Sequence, residues 1–211
     1  MQNIWDVYLT IKQLIADKTR NSVPTPESIS YALDLGQQAV RDYYKQLKEQ
    51  GDDLANTALA PFLKTIPLTS SSSGLLTYPD DWFDTELITE VVDGEFVTYN
   101  TVLDNELFEA KRSVLYPIAQ NPRYMELSNG VQLYPETTHL VGYKYMTIPA
   151  TPVIGYTVSG NTQVYNPSTS VQLTFKPAYY GRIILHSLPY IGVNLSDAEI
   201  TQLSGLLNLT K

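Results

Sequence analysis

The apolar positions of the chain change period twice along its length. Near the N-terminus, Ile4, Val7, Tyr8, Ile11, Leu14 and Ile15 recur every three or four residues, which places them on one stripe of a helix. Charged residues and Asn21-Ser22 close that helix. Thr25-Pro26-Glu27 opens a second one. Threonine can cap, proline's fixed φ suits a first turn, and an acidic side chain favours the positive end of the helix dipole. Its predicted buried face is Ile29, Ala32, Leu33, Val40, Tyr43, Tyr44 and Leu47, and Gly51 is the natural stop. Gly36 inside it costs about 1 kcal/mol relative to alanine, so it reads as a point of close packing. A shorter third helix is expected over 53–60, ending near Pro61.

Beyond the loop Thr69-Ser70-Ser71-Ser72-Ser73-Gly74 the period becomes two. Strands are predicted over 75–78, 87–92, 95–99, 124–127, 131–134 and 139–147. Asp93-Gly94 and Asn129-Gly130 have the residue types of two-residue hairpin turns that need positive φ. A short helix capped by Asp104 is expected over 104–112. From Tyr145 to Phe175 there are 31 residues without a charge. They read as two or three strands around Ser159-Gly160-Asn161, with Val171, Leu173 and Phe175 alternating. Such a hairpin either joins the core or protrudes to meet a neighbour. Pro177 then opens a helical run with Ile183, Ile184, Leu185 and Leu188 on its buried side, and Pro189 and Gly192 bend or end it. Ser196 and Glu199 form a capping box for a last helix over 197–207. Helices, then strands, then helices predict an α+β fold. The expectation is a single domain over 1–211, helical over 1–65, β-rich over 66–175 and helical over 176–211.

Composition narrows the function classes. The chain has 211 residues, 43% of them hydrophobic and 17% charged. A chain this long can bury about 70% of the surface of its unfolded form. The charged fraction lies below the usual ~25%, so some surface is expected to be covered by partners. The absence of cysteine removes disulfides, thiolate metal sites and thiol nucleophiles. No signal peptide is visible at the N-terminus, and no run of 18 apolar residues suggests a membrane span. The net charge of −8 is concentrated. Residues 1–65 carry eight acidic and seven basic side chains, and residues 113–211 carry four and five. Residues 80–109 carry ten acidic side chains and no basic one. Such a face repels a nucleic-acid backbone and makes DNA gripping unexpected.

Candidate chemistry is sparse. No phosphate-binding glycine loop, dinucleotide fingerprint or Gly-x-Ser-x-Gly elbow is present. His139 and His186 are the two histidines; they are far apart in sequence and read as packed or surface side chains rather than metal ligands. Asp80, Asp81, Asp84 and Glu86 form the densest carboxylate cluster, but lack the spacing of a calcium loop. Tyr78-Pro79-Asp80-Asp81-Trp82 reads as a turn followed by an anchoring aromatic. Asn194-Leu195-Ser196 and Asn208-Leu209-Thr210 match the glycosylation pattern, which has no meaning without secretion. Sixteen tyrosines favour strands and interfaces alike. The reading is a non-enzymatic structural protein with no catalytic, cofactor or metal site. An exposed tryptophan cluster would instead suggest a receptor- or carbohydrate-binding protein, and two carboxylates facing across a cleft a hydrolase.

Several of these segments resemble bacteriophage head-to-tail connector proteins, the ring subunits of the neck below the portal. The N-terminal helical pair and the entry Tyr78-Pro79-Asp80-Asp81-Trp82 carry the likeness. So do Asn121-Pro122-Arg123-Tyr124-Met125-Glu126-Leu127, Gly130-Val131-Gln132-Leu133-Tyr134-Pro135, and Leu140-Val141-Gly142-Tyr143-Lys144-Tyr145 with Pro149 beyond. Leu188-Pro189-Tyr190-Ile191-Gly192-Val193-Asn194-Leu195-Ser196-Asp197-Ala198-Glu199 looks like the closing segment of ring proteins in crAss-like phages of gut Bacteroidales. The stretch 145–175 has no counterpart in that pattern. The resemblance implies a virion protein assembled in the host bacterial cytoplasm. It would form a homo-oligomeric ring of about twelve copies. It would bind the portal protein and other neck or tail ring proteins, with DNA passing unbound through its lumen. It implies no membrane association. The placement of charge adds the hypothesis that the acidic stretch 80–109 lines that lumen, where it would keep DNA from sticking.

Overall fold

The computed structural model describes residues 3–18, 24–102, 121–160 and 162–193. The expected helices over 104–112 and 197–207, the acidic residues Asp104, Glu106 and Glu109, and both glycosylation patterns lie outside the described residues.

The fold is α+β, with helices at both ends of the chain and antiparallel sheets in the middle. It divides into two compact units, residues 1–62 with 149–211, and residues 63–148. The stretch 66–175, read from sequence as one β-rich region, is therefore shared between them. The reason is visible in the burial pattern: Leu173 and Phe175 are core residues of the helical unit.

The described residues of 63–148 include two four-stranded sheets. One has the order β1 (Leu63–Thr69), β8 (Leu140–Thr147), β3 (Trp82–Val92), β4 (Glu95–Thr98). The other has the order β2 (Leu75–Thr77), β7 (Gly130–Tyr134), β6 (Arg123–Leu127), β5 (Asn100–Thr101), with β5 and β6 parallel. Leu76, Val131 and Leu133 from the second sheet meet Ile88, Val141, Tyr143 and Tyr145 from the first in one core. Every strand expected over 75–147 is present within a few residues; the alternating residues 171–175 form no strand and carry only a bridge from Val171 to Val153. β1 was not expected: Pro67 argues against a strand, but β1 is an edge, where a missing N–H is tolerated. β3 starts five residues earlier than the alternation predicts, because register shifts between Trp82 and Asp84 and between Thr85 and Leu87 break the period.

The two predicted turns fare differently. Asp93 (φ 53) and Gly94 (φ 86) connect Val92 to Glu95 as expected. In the other hairpin Leu127 pairs with Gly130, so the loop residues are Ser128 and Asn129. Gly130 is needed for space instead: a Cβ there would lie 2.1 Å from the Leu76 carbonyl oxygen on β2.

The helical unit contains α1 (Ile4–Lys18), α2 (Pro26–Glu49), α3 (Asp53–Leu59) and α4 (Tyr180–Ser187), with the hairpin β9 (Tyr156–Ser159) and β10 (Thr162–Tyr165). Thr25 caps α2 by accepting from Ser28 N–H, Pro26 opens its first turn, and Gly51 (φ 87) follows its end. The predicted buried face of α2 holds at Ile29, Ala32, Leu33, Val40 and Tyr44, but Tyr43 is exposed. Gln37 and Arg41 are buried in its place. Gln37 Oε1 accepts from Thr174 N–H at 2.7 Å and its Nε2 donates to the Ala150 carbonyl at 3.3 Å. The uncharged stretch is thus tied to α2 at both ends. Gly36 does mark close packing: a Cβ there would lie 2.2 Å from Ser187 Oγ and 2.8 Å from the Ile183 carbonyl oxygen of α4. Phe175 packs edge-on against Phe62 at 4.6 Å and beside Tyr179 at 5.6 Å. Aromatic pairs of this kind contribute about 0.5–1.5 kcal/mol each beyond their burial.

Candidate functional site

In the sheet unit, β3 alternates so that Ile88 and Glu90 point inward and Val91 outward. An inward glutamate needs partners, since burying a lone carboxylate is costly. Glu90 finds them in Tyr99, which follows β4, and His139, which precedes β8. The Tyr99 hydroxyl donates to Glu90 Oε2 at 2.6 Å, and His139 Nδ1 lies 3.0 Å from both Glu90 Oε2 and the Tyr99 hydroxyl. His139 Nε2 donates to the Pro135 carbonyl at 2.8 Å and lies 3.0 Å from Thr137 Oγ1. The His139 main chain exchanges bonds with Ser70: its N–H reaches Ser70 Oγ at 2.8 Å and its carbonyl accepts from Ser70 N–H at 2.9 Å. Burial first, then the Glu90 hydrogen bond and charge, pushes the Tyr99 phenol far above its ordinary range. Both nitrogens of His139 are engaged inside the unit, so the cluster cross-links segments that are distant in the chain. It is a packed histidine, as one of the two sequence readings had it.

The carboxylates picked out by sequence are not one site. Asp80 is exposed, whereas Asp81, Asp84 and Glu86 are half-buried. Asp81 forms an ion pair with Lys64 and accepts from the Tyr145 hydroxyl at 2.8 Å. The Lys64 hydrogen bond foremost, with that of Tyr145, holds the Asp81 carboxyl below its ordinary range. Burial and then Asp81 push the Tyr145 phenol up to about 12. Among the described residues, no group of three or more His, Asp or Glu side chains is placed to hold a metal ion. No helix among them is long and apolar enough to cross a membrane.

The segment Tyr78-Pro79-Asp80-Asp81-Trp82 is the expected turn, with Trp82 N–H donating to the Pro79 carbonyl at 3.0 Å. The Trp82 ring stacks on Tyr78 at 3.7 Å and joins the edge of the core. Trp5 belongs to the other unit, where it stacks on Tyr165 at 5.6 Å and tilts against Tyr8 at 4.9 Å. Each tryptophan is thus packed against aromatic neighbours of its own unit.

A cleft of about 900 Å³ lies between α1 and the hairpin β9–β10, bordered by Trp5, Tyr8, Lys12, Glu27, Tyr156 and Gln163 among others. Its polar groups largely bond to one another. The Tyr8 hydroxyl donates to Gln163 at 2.8 Å and the Tyr156 hydroxyl to Glu27 at 3.2 Å. Sequence reasoning missed this cleft because its walls come from opposite ends of the chain; Tyr8 and Gln163 are 155 residues apart. The hairpin itself keeps Val158 67% and Val164 47% exposed. The uncharged stretch is therefore mixed: Tyr145, Met146, Leu173 and Phe175 are core, while Val158 and Val164 of the hairpin are exposed.

No protein-family model matches this chain, and no curated protein is detectably similar to it.

Proposed function

We propose that the protein is a structural virion subunit, one copy in a ring of the phage neck that joins portal to tail and lets DNA pass through its lumen. The observation that supports this most is where the apolar side chains are left over. Val158 and Val164 on one unit, and Val91, Phe96 and Leu140 on the other, are all at least 47% exposed on strands. Exposed apolar strand faces are the mark of protein–protein contact. Meanwhile the side chains best suited to chemistry, Glu90, His139, Tyr99 and Asp81, are held in internal hydrogen bonds and an ion pair.

The acidic hairpin fits the same reading. From Asp84 to Thr98 there are five acidic residues and no basic one; Glu90 turns inward, while Asp93 and Glu95 are exposed at the turn, a surface that DNA would slide past without adhering. Electron microscopy of the assembled protein tests this. The reading requires Asp93 and Glu95 to face the lumen of a closed ring. Their placement on the outer wall would overturn the lumen assignment.

A further inference from the structure

Among the described residues, the outer edge of β4 has no hydrogen-bonded neighbour. Tyr99 N–H donates to the Ile88 carbonyl at 2.9 Å, and Glu90 pairs with Val97 and Val92 with Glu95. In an antiparallel pair, bonded positions alternate. Glu95, Val97 and Tyr99 therefore turn their main-chain groups toward β3. Phe96 and Thr98 turn theirs away from the sheet, and among the described residues no strand lies beyond β4. The other edge of the same sheet, β1, is protected by Lys64 and by the exposed Pro67. β4 has neither device.

The side chains beside this edge are apolar and acidic. Phe96 is 83% exposed and pairs directly with Val91, which is 58% exposed. Leu140, 65% exposed, precedes the inward Val141 and leaves the sheet on the same outer face. At the turn beside them Asp93 and Glu95 are exposed, and no basic residue lies between Asp84 and Thr98; Glu90 turns inward to Tyr99 and His139.

We infer that β4 is a docking edge for an extended segment of another protein, added as a fifth strand, with apolar residues over Phe96 and Val91 and lysine or arginine facing the acidic hairpin. Main-chain bonds at Phe96 and Thr98 would supply affinity, and the charge and apolar alternation would supply selectivity. This inference is independent of the ring reading, since an isolated protomer can bind such a segment.

The test uses the full chain and an end-capped eight-residue peptide alternating lysine and valine. Amide hydrogen exchange should slow by about tenfold or more at Phe96 and Thr98 on peptide saturation. Binding should weaken with added salt. A peptide alternating glutamate and valine should not bind. Phe96→Pro should abolish binding with an unchanged unfolding midpoint, because among the described residues its N–H makes no bond. If that variant does not fold, Phe96→Lys should weaken binding by removing the apolar contact and adding a positive charge beside Asp93 and Glu95. No binding at millimolar lysine–valine peptide, equal binding of both peptides, or protection centred elsewhere would overturn the inference. Self-association that Phe96→Pro abolishes would also overturn it, by making a second copy the occupant.

Discussion

Replacing Gly36 with alanine sets two known effects against each other. In an open helix the substitution stabilises by about 1 kcal/mol, because glycine gives up more backbone freedom on folding. Here the new methyl would lie 2.2 Å from Ser187 Oγ and 2.8 Å from the Ile183 carbonyl oxygen. Real Cβ atoms essentially never approach within 3.0 Å. Ser187 is fully buried and its hydroxyl donates to that same carbonyl at 2.6 Å. Rotating it away would break a buried bond and still leave the carbonyl in contact. α2 and α4 must therefore separate by several tenths of an ångström. Overpacking of this kind costs about 1–3 kcal/mol, more where main chain must shift. We expect Gly36→Ala to destabilise the helical unit by roughly 1–2 kcal/mol net. The assay is urea unfolding followed by Trp5 fluorescence in a Trp82→Phe background, since each unit holds one tryptophan. Stabilisation by about 1 kcal/mol, the open-helix result, would refute the close-packing account of Gly36.

Tyr99→Phe should destabilise the sheet unit by about 1–3 kcal/mol, because Glu90 and His139 lose a buried hydroxyl partner; denaturant titration reads it. Tyr99, Tyr143 and Tyr145 all have raised folded pKa values, so their stabilising effect is complete below about pH 10. It is lost as pH rises above that, and the unfolding midpoint of the sheet unit should fall there, less steeply in Tyr99→Phe. Asp81 has the opposite sign: its lowered folded pKa stabilises at neutral pH, and the effect disappears as pH falls below about 4. Asp81→Asn should therefore be slightly less stable than the parent at pH 7 and equal to it in strong acid, a small difference since the Lys64–Asp81 pair is exposed to solvent screening. Val158→Lys with Val164→Lys should leave the unfolding midpoint within about 0.5 kcal/mol and abolish assembly, as measured by sedimentation; intact assembly would remove the hairpin from the subunit interface.

Sequence was most informative where local chemistry fixes the chain. The Thr25-Pro26-Glu27 start, the Asp93-Gly94 turn and the alternating strands needed no knowledge of distant residues. Gly36 was readable too, because a glycine that weakens its own helix makes room for a close neighbour. The failures share one cause: the deciding partner is far away in the chain. Gly130 looks like a turn glycine, but its need is set by Leu76 on another strand. Gln37 is invisible on a hydrophobic pattern, since its partners are Thr174 and Ala150. Glu90 belongs to an acidic run in sequence and to a buried cluster with His139 in the fold. The uncharged stretch looked uniform, but Tyr145 and Phe175 at its ends are core and Val158 between them is surface.

The central claim is that identical copies of the chain assemble into a closed ring. Native mass measurement of the purified full chain tests it most directly. The account predicts a single discrete assembly of about twelve copies at micromolar concentration. A protein that stays monomeric across that range would contradict it.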